Sequence, residues 1–133
     1  MTQDALTKQL GTLADAVRAD PRWQQDDLSV EVLCMLLYGF ALMTGRSVMF
    51  LDVEDIDAAV LRCLTDHVGA AAKWSGGLVA EASASAMNQA HHRAHHALIG
   101  VGHSYIGADN LKPVVDNIFT NIAYTRRYLE GNV

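Results

Sequence analysis

The chain has 133 residues, half of them hydrophobic, and a formal net charge of -5. This length and apolar content suffice for one folded domain and exclude a disordered or low-complexity chain. Ten basic residues are spread along the chain, so the basic face typical of a nucleic-acid binder is missing, whereas an acidic surface suits a basic protein partner. We therefore expect a single helical domain over residues 1–133 that does not bind nucleic acid.

The first predicted helix spans Asp4 to Ala19. Its apolar residues recur at steps of three and four, which places them on one stripe: Leu6, Leu10, Leu13 and Val17. The helix should end at Asp20, because the residue before Pro21 avoids the helical conformation. A polar connector follows and contains Trp23, which we expect to cover the edge of the core.

The segment Leu28–Met43 is the predicted centre of the fold. Glu31 is its only charged residue, and a helix that is apolar on all sides is covered on all sides. The run is too short to cross a membrane, which needs about 20 apolar residues. Glu31 in the predicted first turn is interpreted as a helix-dipole or capping residue. The alternative is a buried acid with a catalytic or metal-binding function. Gly45 should end the helix, and residues 46–51 should form a buried extended connector.

Asp52 is the predicted cap of the third helix, which should end at Gly69. Within it, His67 lies one turn after Cys63 on an apolar stripe, so a core histidine is expected. Cys63, like Cys34 of the central segment, has no CxxC partner and is predicted to be a reduced core thiol.

A fourth helix is predicted over residues 70–88 and a fifth over residues 88–107. The small side chains of residues 82–86 should allow a neighbouring helix to approach closely. The expected buried face of the fifth helix is Ala90, Ala94, Ala97, Leu98 and Val101. A sixth helix should begin at Asp109 or Asn110 and end near Leu129.

Four histidines fall within six residues of the fifth predicted helix: His91, His92, His95 and His96. At helical spacing His91 would stack on His95, and His92 on His96, pointing outward. Each such pair is a half-site for zinc, nickel or copper, with Glu81, Asp109 or a second subunit as further candidate ligands. A solvated polar face and a pH-sensitive partner surface are the alternatives. The Glu-x-x-His pattern of helical di-iron proteins does not occur.

Two acidic pairs, Asp27/Glu31 and Glu54/Asp57, open consecutive predicted helices. The segment Glu54-Asp55-Ile56-Asp57-Ala58-Ala59-Val60-Leu61 resembles the all-α nucleotide pyrophosphohydrolases of the MazG type. That resemblance implies magnesium-dependent nucleotide hydrolysis by the four carboxylates. The first pair departs from the family, because its residues are four apart where the family has three. The alternative is that these acids only satisfy helix N-termini.

Together these patterns predict an all-α fold, a compact five- or six-helix bundle around Leu28–Met43. The leading functional hypothesis is a non-enzymatic protein-binding module, such as an inhibitor, immunity-type protein or adaptor, with self-association possible and no membrane contact. We expect it in the cytoplasm, because no export signal is recognisable. Candidate partner contacts are the aromatic residues Trp23, Tyr105, Tyr124 and Tyr128. The alternative hypothesis is a metal-binding helical protein that uses the cluster His91–His96; the sequence names no cofactor.

Overall fold

The computed structural model describes residues 2–131, and throughout that range its regular structure is entirely helical. Positions 1, 132 and 133 of the predicted domain lie outside the described residues. The described part contains six packed α-helices: α1 (Thr2–Ala19), α2 (Asp27–Ser47), α3 (Val53–Cys63), α4 (Ala72–Met87), α5 (Arg93–His103) and α6 (Leu111–Leu129). A π-helical turn, Leu64–Val68, extends α3 and ends at Gly69, which has a left-handed φ of 79°. The predicted all-α bundle is confirmed.

Helix α2 is the centre of the bundle, as the sequence predicts. It contacts each of the other five helices, most extensively α5. Every residue from Val32 to Tyr38 is at most 1% exposed, so roughly two turns are covered on all sides. By length and composition α2 would also qualify as a membrane span, but 72% of its most apolar window is buried inside the bundle, as expected for a core helix.

Two glycines bring α5 directly against the backbone of α2. A Cβ atom added to Gly39 would overlap the carbonyl oxygen of Ile99, and one added to Gly102 would overlap the carbonyl oxygen of Leu36. Both obstacles are main-chain atoms that cannot rotate aside, so the close approach of these two helices requires glycine at both positions.

This crossing determines which face of α5 is buried. The residues one and two turns before Gly102 on the same face are Ile99, 2% exposed, and His95, 7% exposed. Ala94 and Ala97 are exposed instead. The predicted buried face of the fifth helix is therefore wrong for its alanines, because the glycine contact with α2 turns the helix away from that side. Leu98 and Val101 of the predicted face are partly buried against the core.

The end of α2 also differs from the prediction. The helix continues to Ser47, and Gly45 lies inside it where a Cβ would collide with the side chain of Ile56. The following connector is buried only in part. Val48 is 56% and Phe50 87% exposed, whereas Met49 and Leu51 pack partly buried against the core. Phe50 has a φ of 57°, a conformation rarely adopted by bulky residues. Gly45 thus serves close packing between helices and does not end α2.

The predicted caps of α3 and α6 are confirmed. The Asp52 side chain accepts a hydrogen bond from the Asp55 amide at 2.9 Å, and Asn110 accepts one from the Lys112 amide at 3.0 Å. Helix α4 runs unbroken through its two glycines and ends at Met87, so the fourth and fifth predicted helices are separate. Both cysteines are free and buried, as predicted.

Candidate metal centre

His95, in the first turn of α5, lies between two carboxylates. Its Nδ1 is 3.1 Å from Oε1 of Glu81 in α4, and its Nε2 is 3.3 Å from Oε1 of Glu31 in α2. Only 9% of the His95 side chain is exposed. Both ring nitrogens can donate to the carboxylates only when the imidazole is protonated, so this arrangement favours an imidazolium ion.

Glu81 links His95 to a second histidine. Its Oε2 lies 2.7 Å from Nε2 of His91, which belongs to the loop between α4 and α5. The Glu81 side chain is 29% exposed, so the cluster lies at the edge of the bundle and is open to solvent on one side.

His92 is held by two contacts with His95. Its Nδ1 accepts a hydrogen bond from the His95 amide at 3.1 Å, which makes His92 the N-cap of α5. The two imidazole rings are stacked, with centroids 3.5 Å apart and planes 9° from parallel. The side chain that caps the helix therefore also lies flat against the buried histidine.

The charges of this cluster shift its pKa values. Burial lowers the pKa of His95, but the hydrogen bonds and charges of Glu31 and Glu81 outweigh it, so the pKa of His95 is raised above 6.5. The hydrogen bond from His95 lowers the pKa of Glu31, and burial opposes it. The hydrogen bond from His91 is the largest cause of the lowered pKa of Glu81. The cluster thus favours charged carboxylates around a charged imidazole.

Three of these side chains could share a metal ion. Glu81, His92 and His95 each offer a ligand atom, and these atoms lie within 4.8 Å of one another. Ligand bonds of about 2.1 Å to one ion need shorter separations, and the in-plane lone pairs of two stacked rings do not converge on one point. To bind the same ion as His95, the His92 ring would therefore have to rotate out of its stack. Among the histidine, cysteine, aspartate and glutamate side chains of residues 2–131, this is the one group of three whose ligand atoms lie so close together.

The structure brings three of the four predicted histidines together but not in the predicted way. Helix α5 begins at Arg93, so His91 and His92 precede it, and the predicted helical pairs His91/His95 and His92/His96 do not form. The His92 ring stacks on His95 instead. The expectation of an outward-pointing histidine face is wrong for His95, which faces α2 and α4. His96 is directed elsewhere, since its Nδ1 donates to the Ser85 carbonyl oxygen at 2.8 Å.

Of the further ligands considered from the sequence, Glu81 joins the group and Asp109 does not. The predicted dipole or capping role of Glu31 is wrong. Asp26 caps α2 by accepting a hydrogen bond from the Ser29 amide at 2.8 Å, so Glu31 lies in the second turn, beyond the free amides. Its carboxylate is directed to His95 instead.

The other acids of the two predicted pairs have separate surroundings. Asp57 accepts a 2.6 Å hydrogen bond from the Tyr38 hydroxyl, and burial raises the pKa of Asp57. Asp27 and Glu54 are exposed. Magnesium-dependent hydrolysis by Asp27, Glu31, Glu54 and Asp57 therefore stays a prediction. Glu31 and Asp57 are directed to His95 and Tyr38 and not to one another.

His67 differs from the expected core histidine. Its side chain is 32% exposed, and its Nδ1 lies 3.0 Å from Oδ1 of Asp15. The ring covers Gly11, where an added Cβ would lie 2.5 Å from it. His67 therefore closes the contact between α1 and the π-helical turn at the surface of the bundle.

The four aromatic contact candidates lie in different environments. Trp23 is partly buried against the core, and its Nε1 donates to Gln25. Tyr105 is only 4% exposed, and its hydroxyl donates to Oδ1 of Asn117 at 2.6 Å, so it is not an exposed partner contact. Tyr124 and Tyr128 are 52% and 65% exposed. Helical periodicity does not predict that Tyr105 is buried and Tyr124 and Tyr128 exposed, because Tyr105 lies in a turn beyond α5.

The comparisons with known proteins do not identify the chain. It matches no known family, and neither a curated protein nor a solved structure is significantly similar to it.

Proposed function

We propose that this is a metal-binding helical protein that holds one divalent transition-metal ion between α4 and the start of α5. Glu81, His92 and His95 are the proposed ligands. The observation that supports this most directly is the meeting of their three ligand atoms within 4.8 Å around a largely buried histidine.

The chemistry of these ligands suits zinc and its neighbours. Imidazole and carboxylate ligands bind zinc, iron, nickel and copper, whereas magnesium and calcium prefer oxygen alone. Three protein ligands leave at least one coordination position open for water or for another molecule. Glu31 and His91 would then orient the ligands, because Glu31 contacts His95 and His91 contacts Glu81.

Metal binding at this site would compete with interactions that His92 and His95 already make, among them the stack of their rings. A metal bond to His95 displaces a proton, since the raised pKa of His95 favours the imidazolium form. A metal bond to His92 requires a change in its cap. If Nδ1 is the ligand, it no longer accepts the His95 amide; if Nε2 is the ligand, Nδ1 carries the proton and cannot accept. Losing this cap costs about 1 kcal/mol, so the metal must offset it.

The test is a titration of untagged protein with Zn²⁺ in competition with a chromophoric chelator, with metal content measured after dialysis. We expect saturable binding at one ion per chain. Glu81→Gln and His95→Gln should each weaken binding at least about tenfold, because each removes or neutralises a ligand. Melting curves of both variants check that they remain folded.

His96→Ala is the matched control. It removes a histidine from the same helical turn, but the structure directs that ring to the Ser85 carbonyl oxygen and not to the metal group. Binding by His96→Ala should equal that of the unmodified protein. The proposal fails if the unmodified protein shows no saturable binding, or if His96→Ala weakens binding as much as His95→Gln does.

A second candidate function is the protein-binding module that composition favours. A groove of about 230 Å³ between α5 and α6 supports it, because exposed Tyr124 and Tyr128 line it opposite Leu98 and Val101. Tyrosines that combine apolar area with a hydroxyl are enriched in protein interfaces. A cytoplasmic location and a basic partner remain parts of this proposal.

The partner hypothesis is tested by quantitative capture from the source cells, followed by titration with the purified candidate. Tyr128→Ala should weaken a true complex at least about fivefold, as expected where truncation of a contact costs more than 1 kcal/mol. Phe50→Ala is the control, since Phe50 is 87% exposed but lies outside the groove. Equal weakening by both substitutions, or an unfolded Tyr128→Ala, would remove the groove from consideration.

A further inference from the structure

We infer that the protein has a second, separate binding site: a cavity between α1, the C-terminal half of α2 and the segment joining α5 to α6, which takes a small neutral molecule with an apolar body and one hydrogen-bonding group. The cavity encloses about 430 Å³, within the ~300–1,000 Å³ range of small-molecule pockets. This inference is independent of the proposed metal centre.

The walls of the cavity come from three helices. Leu13 of α1, Phe40 of α2 and Val114 of α6 supply apolar surface, and the backbone of Gly107 and Ala108 passes along one side. Such a wall favours an apolar body, because burying apolar surface contributes roughly 25 cal/mol per Å².

Thr44 supplies the polar group of the site. It lines the cavity, is 4% exposed, and its Oγ1 has no hydrogen-bond partner. The other helical threonines with described side chains behave differently, since each donates to a main-chain carbonyl oxygen one turn earlier: Thr7, Thr12, Thr65, Thr120 and Thr125. A buried hydroxyl without a partner costs about 1–3 kcal/mol. The Oγ1 atom has almost no accessible surface in the free protein, so a ligand would bond to it and remove this cost after the Thr44 side chain rotates toward the cavity.

The charge of the lining selects the class of ligand. None of the residues that line the cavity is charged. The Tyr105 hydroxyl is already donated to Asn117. A carboxylate or ammonium group would enter without an opposite charge, which is costly, so the ligand should be neutral.

The cavity and the metal centre lie at opposite ends of α2. Thr44 follows Glu31 by 13 residues, about 20 Å along the helix axis. Substitutions at either site can therefore be made without altering the other, and failure of one proposal leaves the other intact.

The experiment uses a matched pair of probes, 2-naphthol and naphthalene, which differ by one hydroxyl group. Each is titrated into ¹⁵N-labelled protein with a metal chelator present, and binding is followed through amide shifts. We expect saturable binding of both, with shifts concentrated at residues 105–108 and around Thr44. Thr44→Val should weaken 2-naphthol about three- to tenfold, the equivalent of one hydrogen bond, and leave naphthalene unchanged.

Two tryptophan substitutions form a matched control. Thr12 and Thr120 are both exposed and both donate to the carbonyl oxygen four residues earlier, but only Thr12 lines the cavity. Thr12→Trp should block both probes and Thr120→Trp neither. The inference is overturned if neither probe binds saturably, if the two tryptophan variants behave alike, or if Thr44→Val weakens both probes equally. If Glu81→Gln binds both probes with unchanged affinity, the metal centre is not involved.

Discussion

The two ends of α2 differ in how their buried polar groups are paired. Near its N-terminus, Glu31 faces His95, whose ring nitrogens both lie within 3.3 Å of a carboxylate oxygen. Near its C-terminus, Thr44 is buried beside a cavity with no partner for its hydroxyl. Charged groups are too costly to leave unpaired, whereas a single hydroxyl can be left for a ligand at a modest cost. The charged end therefore suits a metal ion and the neutral end suits an uncharged molecule.

Gly102→Ala should have the largest effect, because it disturbs the crossing that lies between these two ends. The new Cβ would overlap the carbonyl oxygen of Leu36, and neither helix can yield without moving its backbone. We expect the free energy of unfolding to fall by at least about 3 kcal/mol in chemical denaturation. The contacts between α2 and α5 would then be disturbed, including that of Glu31 with His95.

Gly100→Ala is the control for that substitution. It lies in the same helix two residues earlier, where an added Cβ meets nothing within 4 Å. Alanine should stabilise the protein there by about 0.5–1 kcal/mol through helix propensity. A loss of stability in both variants would contradict the close α2–α5 crossing.

The charged end should make the stability of the metal-free protein depend on pH. The raised pKa of His95 contributes stability that is complete below its ordinary 6.5 and is lost as pH rises through the folded pKa. The lowered pKa values of Glu31 and Glu81 contribute stability that is present above their ordinary 4.5 and is lost as pH falls through the folded values. This contribution should therefore be greatest between pH 4.5 and 6.5.

His95→Gln tests this pH dependence. It keeps a hydrogen-bonding side chain but removes the charge between Glu31 and Glu81, with His91 and His92 unchanged. At pH 5.5 we expect a loss of about 1.5–3 kcal/mol, as for hydrogen bonds to charged groups, and a smaller loss at pH 9. Urea denaturation with chelator at both pH values measures the difference. An equal loss at both would show that folding does not raise the pKa of His95.

Tyr105→Phe should have a smaller effect, at the neutral end of α2. The hydroxyl of this buried tyrosine donates to Asn117 at 2.6 Å, so its removal takes away a formed hydrogen bond on the cavity wall. We expect a loss of about 1 kcal/mol in thermal or chemical unfolding. An unchanged stability would indicate that this hydroxyl contributes no more than the unpartnered one of Thr44.

How far the sequence predicts this molecule depends on whether a feature is local. The central helix follows from the run of residues without charge after Glu31, and Asp52 and Asn110 identify helix starts because a cap needs only its own neighbours. The buried face of α5 depends on Gly102 meeting Gly39, 63 positions apart in sequence. No periodicity within α5 contains that information.

The site was predictable in composition but not in geometry. The density of histidines indicates a candidate metal site, and Glu81 could be named as a further ligand. That His92 caps α5, and so does not lie within it, could not be foreseen, because histidine is not among the usual capping residues. Acids are common near helix starts, so the sequence favours a helix-dipole role for Glu31. Only the packing of α5 on α2 shows its contact with His95.

Thr44→Val should change the free energy of unfolding of the free protein least. The sign of this change distinguishes the two ends of α2 most clearly. Valine has nearly the same shape as threonine, and the hydroxyl that it removes is buried without a partner. Since no hydrogen bond is lost, we expect a change within about 0.5 kcal/mol, or a stabilisation, in contrast to the loss expected for Tyr105→Phe on the same cavity. Chemical unfolding of both variants in one buffer makes the comparison. A loss of about 1 kcal/mol or more in Thr44→Val would mean that the hydroxyl is already bonded in the free protein, and no polar group would then be left for a ligand.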